Sequence, residues 1–221
     1  MARAMRESAV PVSSLTLRGQ RTRAALVKAA RAVFERRGYH DTRVVDITKA
    51  AGVAYGTFYT YFDSKELIFA EVVEELHRDF RAESSSDPEV TSDDLAARIE
   101  RTNRGYLRAY RKNARMMAVL DQVDTFNPVL RDIRLTLRHH WVERSAHMIQ
   151  RWQDAGLVDK AIDASYAATA LGSMVSRSAF VWLVLGEPYD EEQAVQQVTL
   201  LYCRALGLPY ELPPEGDTRS S

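Results

Sequence analysis

The stretch AGVAYGTFYTYFDSKE, Ala51 to Glu66, decides the fold, because it spells a sharp turn, a short aromatic helix and the capped start of another helix with no slack between them. Gly52 suits a left-handed turn, a conformation that residues with a Cβ adopt only at a cost. Phe58 and Phe62 lie four residues apart and turn to one core-facing side, which leaves Tyr55, Thr57, Tyr59, Thr60 and Tyr61 on the remaining faces. Gly56 is disfavoured inside a helix by roughly 1 kcal/mol relative to Ala, so its place here fits a backbone that something else approaches closely. Asp63 with Glu66 fits a capping box, with Ser64 as the alternative cap. Either opens a helix whose Phe69, Val72, Val73, Leu76 and Phe80 form one stripe.

Upstream, Leu26, Ala29, Ala30, Val33 and Phe34 recur at the spacing of one helix face, and Gly38 closes that helix in the left-handed conformation. Thr42 caps a second short helix whose Ile47, Ala50 and Ala51 turn inward before Gly52. Helix, tight turn and aromatic helix together read as a DNA-binding helix-turn-helix.

The chain from about Arg21 to Val73 resembles the TetR family of transcriptional regulators. Gly38, Tyr39, Thr42, Asp46, Ile47, Ala51, Gly52, Val53, Gly56, Tyr59, Tyr61, Phe62, Ser64 and Lys65 stand where that family's pattern puts them. The resemblance implies an all-α protein: an N-terminal three-helix DNA-binding domain, then a larger helical domain for ligand binding and dimerisation. It implies that Tyr59, Tyr61 and Lys65 hold the phosphate backbone while Tyr55 and Thr57 face base edges. Arg21, Thr42, Arg43 and Gly56 complete the expected DNA contacts. Three positions depart from the pattern. Arg43 stands where a small hydroxyl residue is usual, Thr48 where Ala is common, and Ala54 where a Ser or Thr caps the recognition helix. Loss of that cap costs about 0.5–2 kcal/mol locally unless something compensates.

Charge supports the reading independently. Residues 1–65 hold 12 Lys and Arg against 5 Asp and Glu, a net of +7, whereas residues 66–221 hold 18 against 25, a net of −7. A cationic module beside an acidic one suits phosphate binding at one end and solubility at the other. Arg3, Arg6, Arg18, Arg21 and Arg23 precede or open the first helix, and a basic arm of residues 1–17 can enter the minor groove. The 221 residues, 46% of them hydrophobic, have room for two domains. The expected boundaries are 18–65 for the DNA-binding domain, 66–208 for the ligand and dimerisation domain, and 209–221 for a loosely ordered tail. The longest apolar run, Ala179 to Leu185, is far short of the ~20 residues of a membrane span, and Met1 to Val12 lacks the apolar centre of a signal peptide. A cytoplasmic location follows as the expectation. Cys203 is the sole cysteine, so no intramolecular disulfide forms.

The remaining chain reads as helix upon helix. Glu83 to Asp94 is a polar loop ending in an N-cap at Ser92, before a helix bearing Leu95, Ile99, Tyr106 and Tyr110. A short helix follows around Met116 to Val123. Pro128 opens a long helix that stops at Gly156, Asp163 opens another that Gly186 and Pro188 end, and the last runs from about Glu191 to Leu206. The helix after Asp163 is apolar nearly all round and needs cover on more than one side, either within the chain or from a second copy. The resemblance implies a homodimer through the last two helices, with Met174, Val181, Val198, Leu201 and Tyr202 at the interface.

Signatures of catalysis are missing: no phosphate-binding glycine loop, no nucleophile elbow, no paired cysteines and no recognised metal motif, so neither a cofactor nor a metal is expected. His140, Glu143 and His147 share a helix face, more simply as solvated side chains than as ligands. Arg131, Arg134 and Arg138 form a row that is either a solvated face or a partner for an acidic ligand. Tyr106, Tyr110, Met117, Leu120, Phe126, Trp141 and Trp152, with Arg134 and Arg138, are the candidates for an adaptable apolar pocket, although the same apolar residues also serve as plain core. The leading expectation is a repressor released from a (pseudo)palindromic double-stranded operator by a small apolar or amphipathic ligand. The alternatives are a regulator controlled by a protein partner, or by nothing, with a filled core, and an all-helical enzyme or interaction module.

Overall fold

A computed structural model describes residues 15–84, 94–123 and 128–212. These residues form nine helices and no strand. They divide into two compact units, one within residues 1–79 and 113–139, the other within 80–112 and 140–221.

In the first unit, α1 (Leu17–Arg37) begins at Thr16, whose hydroxyl accepts the Gly19 N–H at 3.2 Å. The spacing read from the sequence is the buried face: Leu26, Ala29, Ala30, Val33 and Phe34. The helix ends at Gly38, whose N–H reaches the Phe34 carbonyl at 2.8 Å. Gly38 sits at φ 77°, ψ 173°, a region occupied almost solely by glycine, in contrast to the ordinary left-handed Gly52 at φ 67°, ψ 32°. Gly38→Ala is therefore expected to cost about 1–3 kcal/mol, read as a lower denaturant midpoint. A smaller loss from Gly52→Asn, since asparagine tolerates that region, is the internal control.

Helix α2 (Val44–Ala51) differs from expectation at its start. Thr42 does not cap it; Thr42 is buried and its hydroxyl donates back to the Gly38 carbonyl at 2.6 Å. The capping residue is Arg43, whose N–H is accepted by the Asp46 carboxylate at 3.1 Å. Ile47 and Thr48 form the inward face, Ala51 is half-buried, and Ala50 is exposed rather than inward. Thr48 is tolerated because its hydroxyl donates to the Val45 carbonyl at 3.1 Å.

Helix α3 (Tyr55–Tyr59) has no side-chain cap at Ala54. Helix α4 (Lys65–Ser84) starts from Ser64, the second of the two expected caps, which accepts the Leu67 N–H at 3.3 Å. Glu66 is thereby free to accept the Tyr39 hydroxyl at 2.9 Å. Phe34, Phe58, Phe62 and Phe69 are wholly buried, each contributing roughly 1.5–3 kcal/mol of apolar burial. Phe69 meets Phe34 and Tyr39 edge-on, at 5.2 and 4.8 Å between ring centroids. α6 (Ala114–Gln122) and the first part of α7 (Pro128–Asp154) complete this unit.

In the second unit, α5 (Leu95–Lys112) is capped by Asp94, which accepts the N–H groups of Ala96 and Ala97 at 2.9 and 3.2 Å. Ser92, the cap expected from sequence, lies outside the described residues. Asp163 caps α8 (Ala164–Leu183) and Asp190 caps α9 (Glu191–Ala205). Ile99, Ile149, Trp152, Leu171, Val175, Val198 and Tyr202 belong to one core. Inside it Asn103 donates to Thr199 at 3.1 Å, a buried polar pair that fixes the register of α5 against α9. Arg104 reinforces that contact from the edge, bonded to Glu100 and Glu192 at 2.8 Å each. No described helix is long and apolar enough to cross a membrane.

Candidate nucleic-acid interface

The turn at Gly52 and the buried pair Phe58 and Phe62 fix α3 so that its opposite side faces solvent. Tyr55, Gly56 and Tyr59 are exposed there, and Thr57 and Tyr61 are half-buried. A Cβ built on Gly56 would meet nothing of this chain within 4 Å. The glycine is therefore not a packing requirement of the fold, and it leaves bare backbone at the surface. Tyr55 and Tyr59 join through their hydroxyls at 3.0 Å, a bond that raises the Tyr59 phenol above its ordinary pKa.

Arg21 and Arg43 are exposed, on α1 and at the start of α2. Beside Arg43 lies a shallow basin lined by Arg37, His40, Asp41, Arg43, Val45, Asp46 and Lys49. Arg37 bonds Asp46 at 3.0 Å, which ties the end of α1 to the first turn of α2. Arg37, His40 and Lys49 were not among the residues expected from sequence, because only the fold brings the end of α1 and the last turn of α2 to one rim.

Two expected contacts have other occupations. Thr42 is buried and bonded within the chain, so its hydroxyl is not presented to a partner. Lys65 directs its ammonium at the carbonyls of Tyr39 and Thr42, 2.9 and 3.0 Å away, with that of His40 at 3.5 Å, and lies 4.3 Å from the Tyr39 ring centroid. Burial lowers its pKa, so the carbonyls and ring stand in for lost water. It is a staple between α4 and the α1–α2 turn. Arg23, read from sequence with the basic arm, is also internal: it pairs with Glu71 at 2.8 Å and stacks over Phe62 at 4.9 Å. Arg18 remains exposed, whereas Arg3 and Arg6 lie outside the described residues.

The expected ligand residues fall into both units. In the second, Tyr106, Tyr110 and Trp141 are brought together with Phe80 through edge-on and tilted rings, Tyr106 lying 5.2, 6.0 and 6.4 Å from Phe80, Tyr110 and Trp141. Burial pushes the Tyr106 phenol up to about 12, against a bond with Ser176. Trp152 is instead part of the core around Ile149 and Leu171. In the first unit Met117 and Leu120 are half-buried, Arg134 reaches Asp121 at 3.7 Å, and Arg138 is exposed. Phe126 lies outside the described residues. His147 bonds the Glu143 carbonyl at 2.7 Å, and no group of three potential metal-ligating side chains converges among the described residues.

Of the expected dimer residues, Val198 and Tyr202 are buried within the single chain, at 3% and 7% exposure, so they serve its own core. Leu201 is 54% exposed, and Met174 and Val181 are half-buried.

Residues 26–72 match the family described as bacterial regulatory proteins, tetR family. The chain is similar to the HTH-type transcriptional regulator YdgC of Bacillus subtilis, 38% identical over 85 residues that make up 37% of this chain and 44% of that protein. It is also similar to the HTH-type transcriptional regulator EthR of Mycolicibacterium smegmatis, at 24% identity over 85% of this chain and 87% of EthR. Among solved structures, the fatty acid degradation regulator FadR from Bacillus halodurans has the same fold with a TM-score of 0.68 at 21% identity, covering 85% of this chain and 97% of FadR. The TetR family regulator PfmR from Thermus thermophilus superposes with a TM-score of 0.61, also at 21% identity, covering 81% and 97%.

Proposed function

We propose that this chain, whose residues 26–72 match the tetR family of bacterial regulatory proteins, is a homodimeric DNA-binding repressor whose hold on its operator is released by a small, largely apolar molecule. The observation that carries the DNA contact is the outer face of α3. There Tyr55, the bare backbone of Gly56 and Thr57 project over a helix pinned from behind by Phe58 and Phe62. An aromatic and hydroxyl face of this kind suits base edges in a major groove. Arg21, Arg43 and Tyr61 flank it and supply contacts to phosphate, which set position without reading sequence.

Sequencing the genomic fragments that the purified protein retains tests this reading; retention lost on adding moderate salt without any enriched sequence would leave only nonspecific charge. Arg43→Ala is expected to weaken binding to every retained fragment alike and to flatten the salt dependence by roughly one unit of slope. An unaltered slope removes Arg43 from the phosphate contacts.

Two finer parts belong to the same proposal. Dimerisation uses the outer face of α8 and α9, where Leu201 is exposed and Met174 and Val181 are half-buried, since a twofold pair doubles the short contact of one recognition helix. The effector is taken by the aromatic region of the second unit around Tyr106 and Trp141. Compounds that quench tryptophan fluorescence and release DNA at matching concentrations support it. The close ring packing of Phe80, Tyr106 and Tyr110 favours a second reading, a filled core and control by a protein partner, and a screen in which no acyl chain, aromatic or polycyclic compound releases DNA selects it.

A further inference from the structure

Tyr55 opens α3 and Tyr59 closes it, one turn apart on the side that holds no core residue. They are 53% and 47% exposed. Two such side chains would ordinarily sample several rotamers in water. Here their rings meet edge-on at 5.5 Å and their hydroxyl oxygens lie 3.0 Å apart. Tyr59 is itself held from behind, edge-on at 5.3 Å against Phe58, which is wholly buried. A chain of contacts therefore runs from the core through Phe58 and Tyr59 to Tyr55.

We propose that Tyr59 is a positioning residue for Tyr55 and thereby a determinant of base preference, in place of the phosphate contact implied for it by family resemblance. The proposal rests on the DNA-binding function and adds to it how one base edge is selected. Two hydroxyls carry two protons, and the bond between them uses one. Either hydroxyl can be the donor: when Tyr59 donates to Tyr55, the Tyr55 proton is left over for an acceptor, and when Tyr55 donates, its oxygen still accepts from an amino group of adenine or cytosine. In a major groove the acceptors are purine N7, guanine O6 and thymine O4. Fixing the Tyr55 ring before contact lowers the ordering cost of that bond and limits which acceptor it can reach.

The test uses the full chain and a random duplex library, with selection and sequencing at fixed salt for the unaltered protein, Tyr59→Phe and Tyr55→Phe. Both variants keep the rings, and both hydroxyls are exposed, so the fold should be retained; an unchanged thermal melt verifies this. Expected are a loss of affinity of about three- to tenfold for Tyr59→Phe and relaxed preference at the same base positions that Tyr55→Phe relaxes. A uniform loss over all sequences, with base preference kept at every position, would make Tyr59 a phosphate contact and overturn the proposal. So would unaltered affinity and preference, or preferences altered at different positions in the two variants. If the unaltered protein enriches no sequence, the DNA-reading function itself fails, an outcome separate from these.

Discussion

Lys65→Ala is expected to lower the stability of the helix-turn-helix by roughly 2 kcal/mol and to weaken binding to every DNA sequence, because the turn that holds α2 loses its staple. The Lys65 ammonium donates to the Tyr39 and Thr42 carbonyls and covers the Tyr39 ring. Hydrogen bonds from a charged donor contribute about 1.5–3 kcal/mol, and the partial exposure of Lys65 pulls the sum toward the lower end. In a chain of this length the loss reads as a fall of roughly 4–8 °C in Tm. Thr42 would feel it most, since its own hydroxyl bond to Gly38 depends on the same turn. A surface phosphate contact behaves differently: Tm stays put and the salt slope drops by about one. Calorimetry of the variant beside a salt titration therefore decides between the two. An unchanged Tm would return Lys65 to the DNA surface.

Lys65 also marks where the sequence ceased to be legible. Periodicity found the buried face of α1, the Phe58 and Phe62 pair and the stripe of α4, because those faces depend on spacing along one helix. The Gly52 turn was equally plain, since its φ of 67° calls for glycine. Polar side chains were another matter. Lys65 reaches back 26 residues to Tyr39, Arg23 reaches forward 48 to Glu71, and Asn103 meets Thr199 across 96. No local pattern encodes such partners, so a lysine in a basic segment reads as a free cation until the fold supplies its carbonyls. Caps were missed for a related reason. Several residues in a row can cap, as with Thr42 beside Arg43 or Ser92 beside Asp94, and the choice depends on where the preceding chain arrives.

Val198→Asp is expected to unfold the second unit, whereas Leu201→Asp three residues later leaves the fold intact and separates the proposed dimer. Both lie on α9, and the family resemblance implied that both sit at the interface between copies. Val198 is 3% exposed within one chain, among Ile99, Leu171 and Tyr202. A carboxylate there has no cation among its core neighbours, and such burial costs about 3–5 kcal/mol or drives the group to protonate. That is a large share of the roughly 5–15 kcal/mol that separates folded from unfolded domains. Circular dichroism should register the loss of helix. Leu201 is 54% exposed, so its carboxylate stays hydrated in a single chain and changes that chain's stability by no more than about 0.5 kcal/mol. In a dimer joined through this face the same carboxylate meets its own copy across a twofold axis and is buried without a partner. Sedimentation of Leu201→Asp at micromolar concentration should then report a folded monomer that no longer holds DNA fragments tightly. A folded Leu201→Asp dimer would put the interface on another surface, and a well-folded Val198→Asp would mean that α9 has room to turn the new carboxylate out to solvent.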